Sequence, residues 1–226
     1  MRRKYIFVLC PPHQGSTIIV NLLDKFSNVS SFLDYTNVWA GESQSIYNKY
    51  YDRSYSENRW NPDYKLDMKS IERIYDEFLD KGKNKIWVDK NPPWTCRAEE
   101  IQNHFEKLGD VYFIISIRNP YSFDGPISNW VEKAEYQKYN IKNLKNIICI
   151  NYEETCLDTN KVISKIKNKI PGLGKFNDSH EYEQKNERYC DIFKDKVNRV
   201  IDKDKKNIIL KENIDLLEFF GYKIID

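Results

Sequence analysis

The chain has 226 residues, of which 40% are hydrophobic and 14% aromatic, enough to build one real α/β core. Its 36 basic and 34 acidic residues leave a formal charge of +2, which gives no global pull toward nucleic acid or a membrane surface, so any anion site has to be local. The five cysteines (Cys10, Cys96, Cys149, Cys156 and Cys190) are odd in number and contain no Cys-x-x-Cys pair, which argues against a disulfide scaffold or a zinc site and for a reducing, cytoplasmic setting.

Arg2-Arg3-Lys4 and the short apolar run after it lack the length and cleavage site of a signal peptide. No apolar stretch approaches the roughly 20 residues of a membrane span. Ile6 to Cys10 reads as a buried strand, with Cys10 in the core, and Pro11-Pro12 end it because neither proline can donate to a ladder. Gly15 permits a tight loop. Ser16 and Thr17 then open a helix carrying Ile19, Leu22, Leu23 and Phe26 at helical spacing. Strand, tight loop and helix aim backbone N–H groups and a positive helix end at an anion, which makes residues 12–17 a phosphate- or sulfate-binding loop. An ordinary turn capped by Ser16 or Thr17 fits the same residues. The Gly-Lys-Ser/Thr of a nucleotide triphosphatase is missing.

Phe26 to Phe32 reads as a polar turn region, and Val38-Trp39-Ala40 as a weak strand. Residues 41–66, rich in tyrosine and charge, form an irregular excursion suited to lining an acceptor pocket or to packing aromatics under a long loop. Met68 to Leu79 is an amphipathic helix. Strands are expected over Lys85–Asp89, Val111–Ile117 and Asn146–Ile150, the second being central because it is apolar on both faces, and Cys149 is expected to be buried. Helices are expected over Glu99–Leu108, Ile127–Leu144 and about 162–170, then near 187–202 and 208–220. The alternation predicts a three-layer α/β sandwich with a mostly parallel sheet of four to five strands and a helical C-terminal part, as one domain over 1–226.

In such sheets ligands bind beyond the carboxyl ends of the strands. Those ends carry Pro12-His13-Gln14-Gly15-Ser16-Thr17, Asp89-Lys90-Asn91-Pro92, Arg118-Asn119-Pro120 and Tyr152-Glu153. An anion loop, a lysine, an arginine and a tyrosine on one sheet edge suit a ligand with several anionic groups and an aromatic base.

With these motifs in this order, the chain resembles the sulfotransferases that use 3′-phosphoadenosine 5′-phosphosulfate. Residues 12–17 resemble their 5′-phosphosulfate loop. Arg118-Asn119-Pro120 through Ser128-Asn129-Trp130 resembles their 3′-phosphate motif. Asp89-Lys90-Asn91-Pro92, Tyr152-Glu153-Glu154 and Phe219-Phe220-Gly221-Tyr222 resemble further family segments. The resemblance implies a P-loop-like fold and transfer of a sulfuryl group to a hydroxyl or amine on a small-molecule, carbohydrate or peptidyl acceptor, without a metal. It implies that His13, Gln14, Gly15, Ser16 and Thr17 bind the 5′ end of the donor. It assigns Arg118 and Ser128 to the 3′-phosphate, Tyr152 to the adenine, and Lys90 with His13 to the sulfonate and leaving phosphate. Glu42 is the first candidate for general base and Asp89 the second; His104, mid-helix, and His180, in a polar loop, are read as non-catalytic. Two positions depart from the pattern: His13 stands where the loop carries lysine or arginine, and Pro126 where the motif carries its serine. A small-molecule kinase and a non-catalytic nucleotide-binding protein are the alternatives.

Overall fold

In a computed structural model, which describes residues 2–31, 58, 60–79, 86–177, 197 and 199–226, the opening apolar run is a strand, β1 (Arg3–Leu9). It is followed by α1 (Ser16–Leu23), β2 (Val29–Ser31), α2 (Met68–Leu79) and β3 (Ile86–Lys90). A short 3₁₀ turn at Pro92–Cys96 leads to α3 (Ala98–Phe105) and β4 (Gly109–Ile117). A second, at Pro120–Ser122, leads to α4 (Ile127–Asn143), β5 (Ile147–Asn151), α5 (Tyr152–Leu157) and α6 (Thr159–Lys169). The chain finishes with α7 (Lys203–Glu212) and α8 (Ile214–Phe219).

The five strands pair in parallel in the order β2-β3-β1-β4-β5, and helices flank the sheet. β1 therefore holds the middle and β4 lies beside it, a correction to the reading that placed Val111–Ile117 at the centre. Successive side chains of a strand point to opposite faces. Tyr5 and Phe7 of β1 share one face, where they pack with Tyr75 of α2, Phe105 of α3 and Trp94 of the first 3₁₀ turn. A second apolar cluster joins Ile117, Tyr121, Phe123, Trp130, Leu210 and Leu217, so α4, α7 and α8 cover the end of β4.

Several other expectations need adjusting. Val29–Ser31, read as a turn, is a buried edge strand hydrogen-bonded to β3. Tyr152–Leu157 is helical. The segment near 208–220 is two helices divided at Asn213. Of the helix expected near 187–202, most lies outside the described residues, and the described tail 199–202 is not helical. Cys149 is exposed, on the face of edge strand β5 opposite the buried Ile148 and Ile150. Val38–Ala40 and most of the 41–66 excursion lie outside the described residues. No described helix is long and apolar enough to cross a membrane.

Candidate functional site

The chain leaves β1 at the middle of the sheet, then builds β3 and β2 on one side and β4 and β5 on the other. The end of β1 is thus the point where the winding reverses, and there the diverging connections open a crevice. The loop after β1 occupies it. Gly15 has φ 91° and His13 φ 63°, both in the left-handed region, with Gln14 between them at negative φ. Alternation of this kind turns successive N–H groups toward one side. Among the described residues no side chain caps α1, whose positive end lies at Gly15.

Gly15 is required for two reasons. Its φ strains any L side chain, and a Cβ there would lie 2.2 Å from Cδ2 of Tyr152. The Tyr152 ring, buried at the start of α5, packs against the loop at Gly15. Burial holds its hydroxyl proton well above the usual tyrosine range. Over the same ring, at 4.6 Å, lies the guanidinium of Arg118. Arg118 Nη1 donates to the His13 carbonyl at 3.2 Å, and Nε donates to Ser122 Oγ at 3.0 Å. Nη2 is buried with no partner among the described residues. A guanidinium offers five N–H donors, and leaving some unpaired in the interior is costly unless an anion completes them.

Helix α4 stitches these strand ends together. Gln137 Nε2 donates to the Leu9 carbonyl at 2.6 Å, and Trp130 Nε1 donates to the Arg118 carbonyl at 2.7 Å. Ser116 Oγ donates to the Gln14 carbonyl at 3.2 Å, tying β4 to the loop. The amide of Asn119 donates to Glu153 Oε1 at 2.8 Å, and Tyr222 donates from its hydroxyl to Glu153 Oε2 at 2.9 Å. The segments Arg118-Asn119, Tyr152-Glu153 and Gly221-Tyr222 therefore meet in space.

Lys90 ends β3 opposite Val8, and Asp89 precedes it opposite Phe7. The strand alternation sends them apart. Asp89 accepts a hydrogen bond from Tyr75 Oη at 2.8 Å on the α2 face, whereas Lys90 is buried near enough to Cys10 for its charge to favour the thiolate. Burial nevertheless wins at Cys10 and pushes its thiol up to about 12. Beside the loop lies a hollow of about 360 Å³ walled by Pro12, His13, Gln14, Trp60, Asn129 and Lys133. Lys133 sits 4.2 Å over the Trp60 ring and 2.7 Å from Glu132. A second hollow, of about 660 Å³, shares Glu132 with the first and carries Glu99, Glu135, Tyr136 and Tyr139.

The sulfotransferase domain of the curacin biosynthetic pathway has a similar structure, with a TM-score of 0.50 and 15% identity over 100% of both chains. The fold is sulfotransferase-like. The sulfotransferase domain of the Synechococcus PCC 7002 olefin synthase has a TM-score of 0.49 and 16% identity, covering 77% of this chain and 74% of its own. The sulfotransferase STF1 of Mycobacterium tuberculosis H37Rv has a TM-score of 0.46 and 14% identity, covering 88% and 77%. At these identities the likeness is one of fold. No family model and no curated protein matches the chain.

Within this sulfotransferase-like fold, His13, Gln14, Gly15, Arg118 and Tyr152 come together, with Ser16 and Thr17 opening α1 beside them. Lys90 stands at the adjoining strand end. Ser128 is exposed in the first turn of α4, and it is Ser122 that bonds Arg118. The 3₁₀ turn at Pro120–Ser122 folds the chain back, which brings the nearer serine to the guanidinium. Tyr152 presents its ring to Gly15 and Arg118 and is buried there. Glu42 and His180 lie outside the described residues. His104 pairs with Glu72 at 3.0 Å, away from the loop. The sequence reading missed Gln137, Trp130 and Glu153 as supports of the site. Glu153 had a visible signal, lying next to Tyr152 in a strand-end motif.

Proposed function

We propose that the protein is a sulfotransferase that moves a sulfuryl group from 3′-phosphoadenosine 5′-phosphosulfate to a hydroxyl or amine acceptor. The observation that carries this reading is Arg118: a buried guanidinium with one nitrogen unpartnered, tied to the anion loop through the His13 carbonyl. One loop for a 5′ group and one arginine for a second anionic group, fixed to each other, suit a doubly phosphorylated nucleoside.

In this reading the backbone of Gln14 to Thr17 and the hydroxyls of Ser16 and Thr17 hold the 5′-phosphate, and Arg118 forks onto the 3′-phosphate. Ser122, which bonds Arg118, supports that contact in the role the sequence assigned to Ser128. Tyr152 backs both the loop and the arginine at the adenosine end. The acceptor oxygen attacks sulfur as the bond from sulfur to the bridging oxygen breaks. Negative charge grows on the departing phosphate, and Lys90, with His13 when protonated, stabilises it. The proposal assigns no metal to this step. Glu42 takes the acceptor proton. Asp89, the other candidate, is already bonded to Tyr75. The hollow beside His13 receives the acceptor, and the second hollow, which shares Glu132 with it, gives room for a carbohydrate or peptidyl chain. The proposed setting is the cytoplasm.

Thermal stabilisation separates this reading from its rivals. Adenosine 3′,5′-bisphosphate should raise the melting temperature and ATP with magnesium should not; the reverse result favours a kinase. The histidine at position 13 favours one other reading, a protein that binds the nucleotide without turning it over. Labelled-sulfate transfer across a mixed acceptor panel decides that point, since binding without transfer supports the non-catalytic reading.

A further inference from the structure

The turn that follows Arg118 is held from outside the sheet by a buried lysine. Lys206 of α7 is 4% exposed, and its Nζ donates to the carbonyls of Pro120 at 2.8 Å, Phe123 at 2.7 Å and Tyr121 at 3.4 Å. An ammonium has three N–H donors, and here all three are spent on one turn. Burial lowers the lysine's pKa from its ordinary value, with Asp202 and Asp124 opposing that shift. A buried charge is an expensive way to fill space when a methionine of similar length would do.

The rest of the turn shows what the charge holds. Ser122, between the gripped carbonyls, accepts from Arg118 Nε at 3.0 Å and donates to the Asn119 carbonyl at 3.1 Å. Asp124, just beyond, lies 4.0 Å from Arg118 Nη1. The backbone amide of Ile201 donates to the Tyr121 carbonyl at 3.0 Å, and Tyr121 Oη is bonded to Asn207, the neighbour of Lys206. The chain of contacts runs from Lys206 through three carbonyls to Ser122 and then to the edge of the guanidinium. Rotation of that guanidinium decides where the unpartnered Nη2 points.

We propose that Lys206 is a positioning residue for the second anionic group of the donor: by clamping the turn at 120–123 it fixes Arg118 in the orientation that takes the 3′-phosphate. The inference rests on the donor reading above. Lys206 does not touch the nucleotide. It acts through Ser122 and Arg118.

The test is a pair of calorimetric titrations, with adenosine 3′,5′-bisphosphate and with adenosine 5′-phosphate, on the full chain and its variants. The ratio of the two affinities isolates the 3′-phosphate. In Lys206→Met the ratio should fall at least tenfold while the affinity for adenosine 5′-phosphate stays within twofold. In an Arg118→Met background the added Lys206→Met change should cost nothing further in the ratio. An unchanged ratio in a folded Lys206→Met protein, an equal loss for both nucleotides, or full additivity with Arg118→Met overturns the proposal. Should Lys206→Met not fold, Ser122→Ala cuts the same chain one link closer to Arg118, and an unchanged ratio there overturns it equally. A wild-type protein with no preference for the bisphosphate defeats the donor reading itself, a result distinct from a wild-type preference that survives in Lys206→Met.

Discussion

The guanidinium of Arg118 lies 4.6 Å over the ring of Tyr152, and the backbone of Gly15 lies against the same ring. One aromatic side chain thereby sets the spacing between the anion loop and the arginine. A cation over an aromatic face contributes about 0.5–2 kcal/mol, more as water is excluded. Replacing Tyr152 with leucine should therefore weaken binding of the bisphosphate and lower stability together, measured by titration and thermal melting of the same variant.

Gly15→Ala tests the same spacing from the loop side. Strain at a positive φ costs on the order of 1 kcal/mol, and the 2.2 Å approach to Tyr152 adds displacement of the ring. For a chain of this size each kcal/mol lowers the melting temperature by about 2–4 °C. A drop of several degrees is expected in Gly15→Ala, reduced when Tyr152→Leu is present as well. Equal drops in both backgrounds would show that the ring is not what Gly15 makes room for.

Lys90→Met and Arg118→Lys separate charge stabilisation from fork geometry. Removing a donor aimed at developing negative charge costs roughly 10²–10³ in turnover. Lys90→Met should lose that much in kcat with little change in donor KM. Arg118→Lys keeps the charge but gives up the planar fork and its bond to Ser122, so donor KM should rise. Retained full activity in either variant would remove the role assigned to that residue.

Alkaline pH should destabilise the protein. The Cys10 thiol has its folded pKa raised from 9.0 to about 12, so its contribution is complete below pH 9 and is lost as pH rises toward 12. Tyr5, Tyr152 and Tyr222 are raised above 10.0, chiefly by burial, and add the same sign of loss from pH 10 upward. Lys206, lowered from 10.5, acts in the opposite direction below pH 10.5 and offsets part of that loss. Unfolding free energies from denaturant titrations across pH 8–11 should decline from about pH 9, by roughly 1 kcal/mol per pH unit for each group within its own window. Cys10→Ala should make the decline between pH 9 and 10 shallower, and Cys96 and Cys149, whose thiols desolvation also raises from 9.0, account for the remainder.

Glu153→Gln keeps the shape but exchanges an acceptor oxygen for an amide nitrogen, so one of its two partners, the Asn119 amide or the Tyr222 hydroxyl, loses its acceptor. A loss of about 1–3 kcal/mol is expected by urea denaturation. Hydrogen exchange should quicken at Asn119 or in the 221–225 segment, depending on which bond is given up.

The inner strands of the sheet and the polar strand ends could be read from the sequence because a buried parallel strand must be apolar and must stop where the chain turns polar. Ile6 to Leu9 and Val111 to Ile117 both show this. Val29–Ser31 gave no such signal: three residues, two of them serine, form a strand only because β3 offers its edge and the core covers them. Tyr152–Leu157 is too short to display a helical period. Cys149 was misjudged because the run Ile147–Ile150 looks buried on both faces, yet only the face carrying Ile148 and Ile150 is covered. Within the site, the loop, Lys90 and Arg118 announced themselves by following strands. Ser122 did not, since contact with Arg118 depends on the backward fold of a 3₁₀ turn. Lys206 is one more lysine in a basic helix until its three carbonyl partners are known.

Those carbonyls, and the Tyr222 hydroxyl on Glu153, give the order of synthesis a role in making the pocket. A nascent chain can pair β1 with β3 and β4 and shape the anion loop while residues 201–226 are still inside the ribosome. It then carries Arg118 on a turn with nothing yet beneath it. On the donor reading, the nucleotide site would mature only when α7 and α8 dock under that turn, so newly made protein should shape its anion loop before it gains affinity for the bisphosphate.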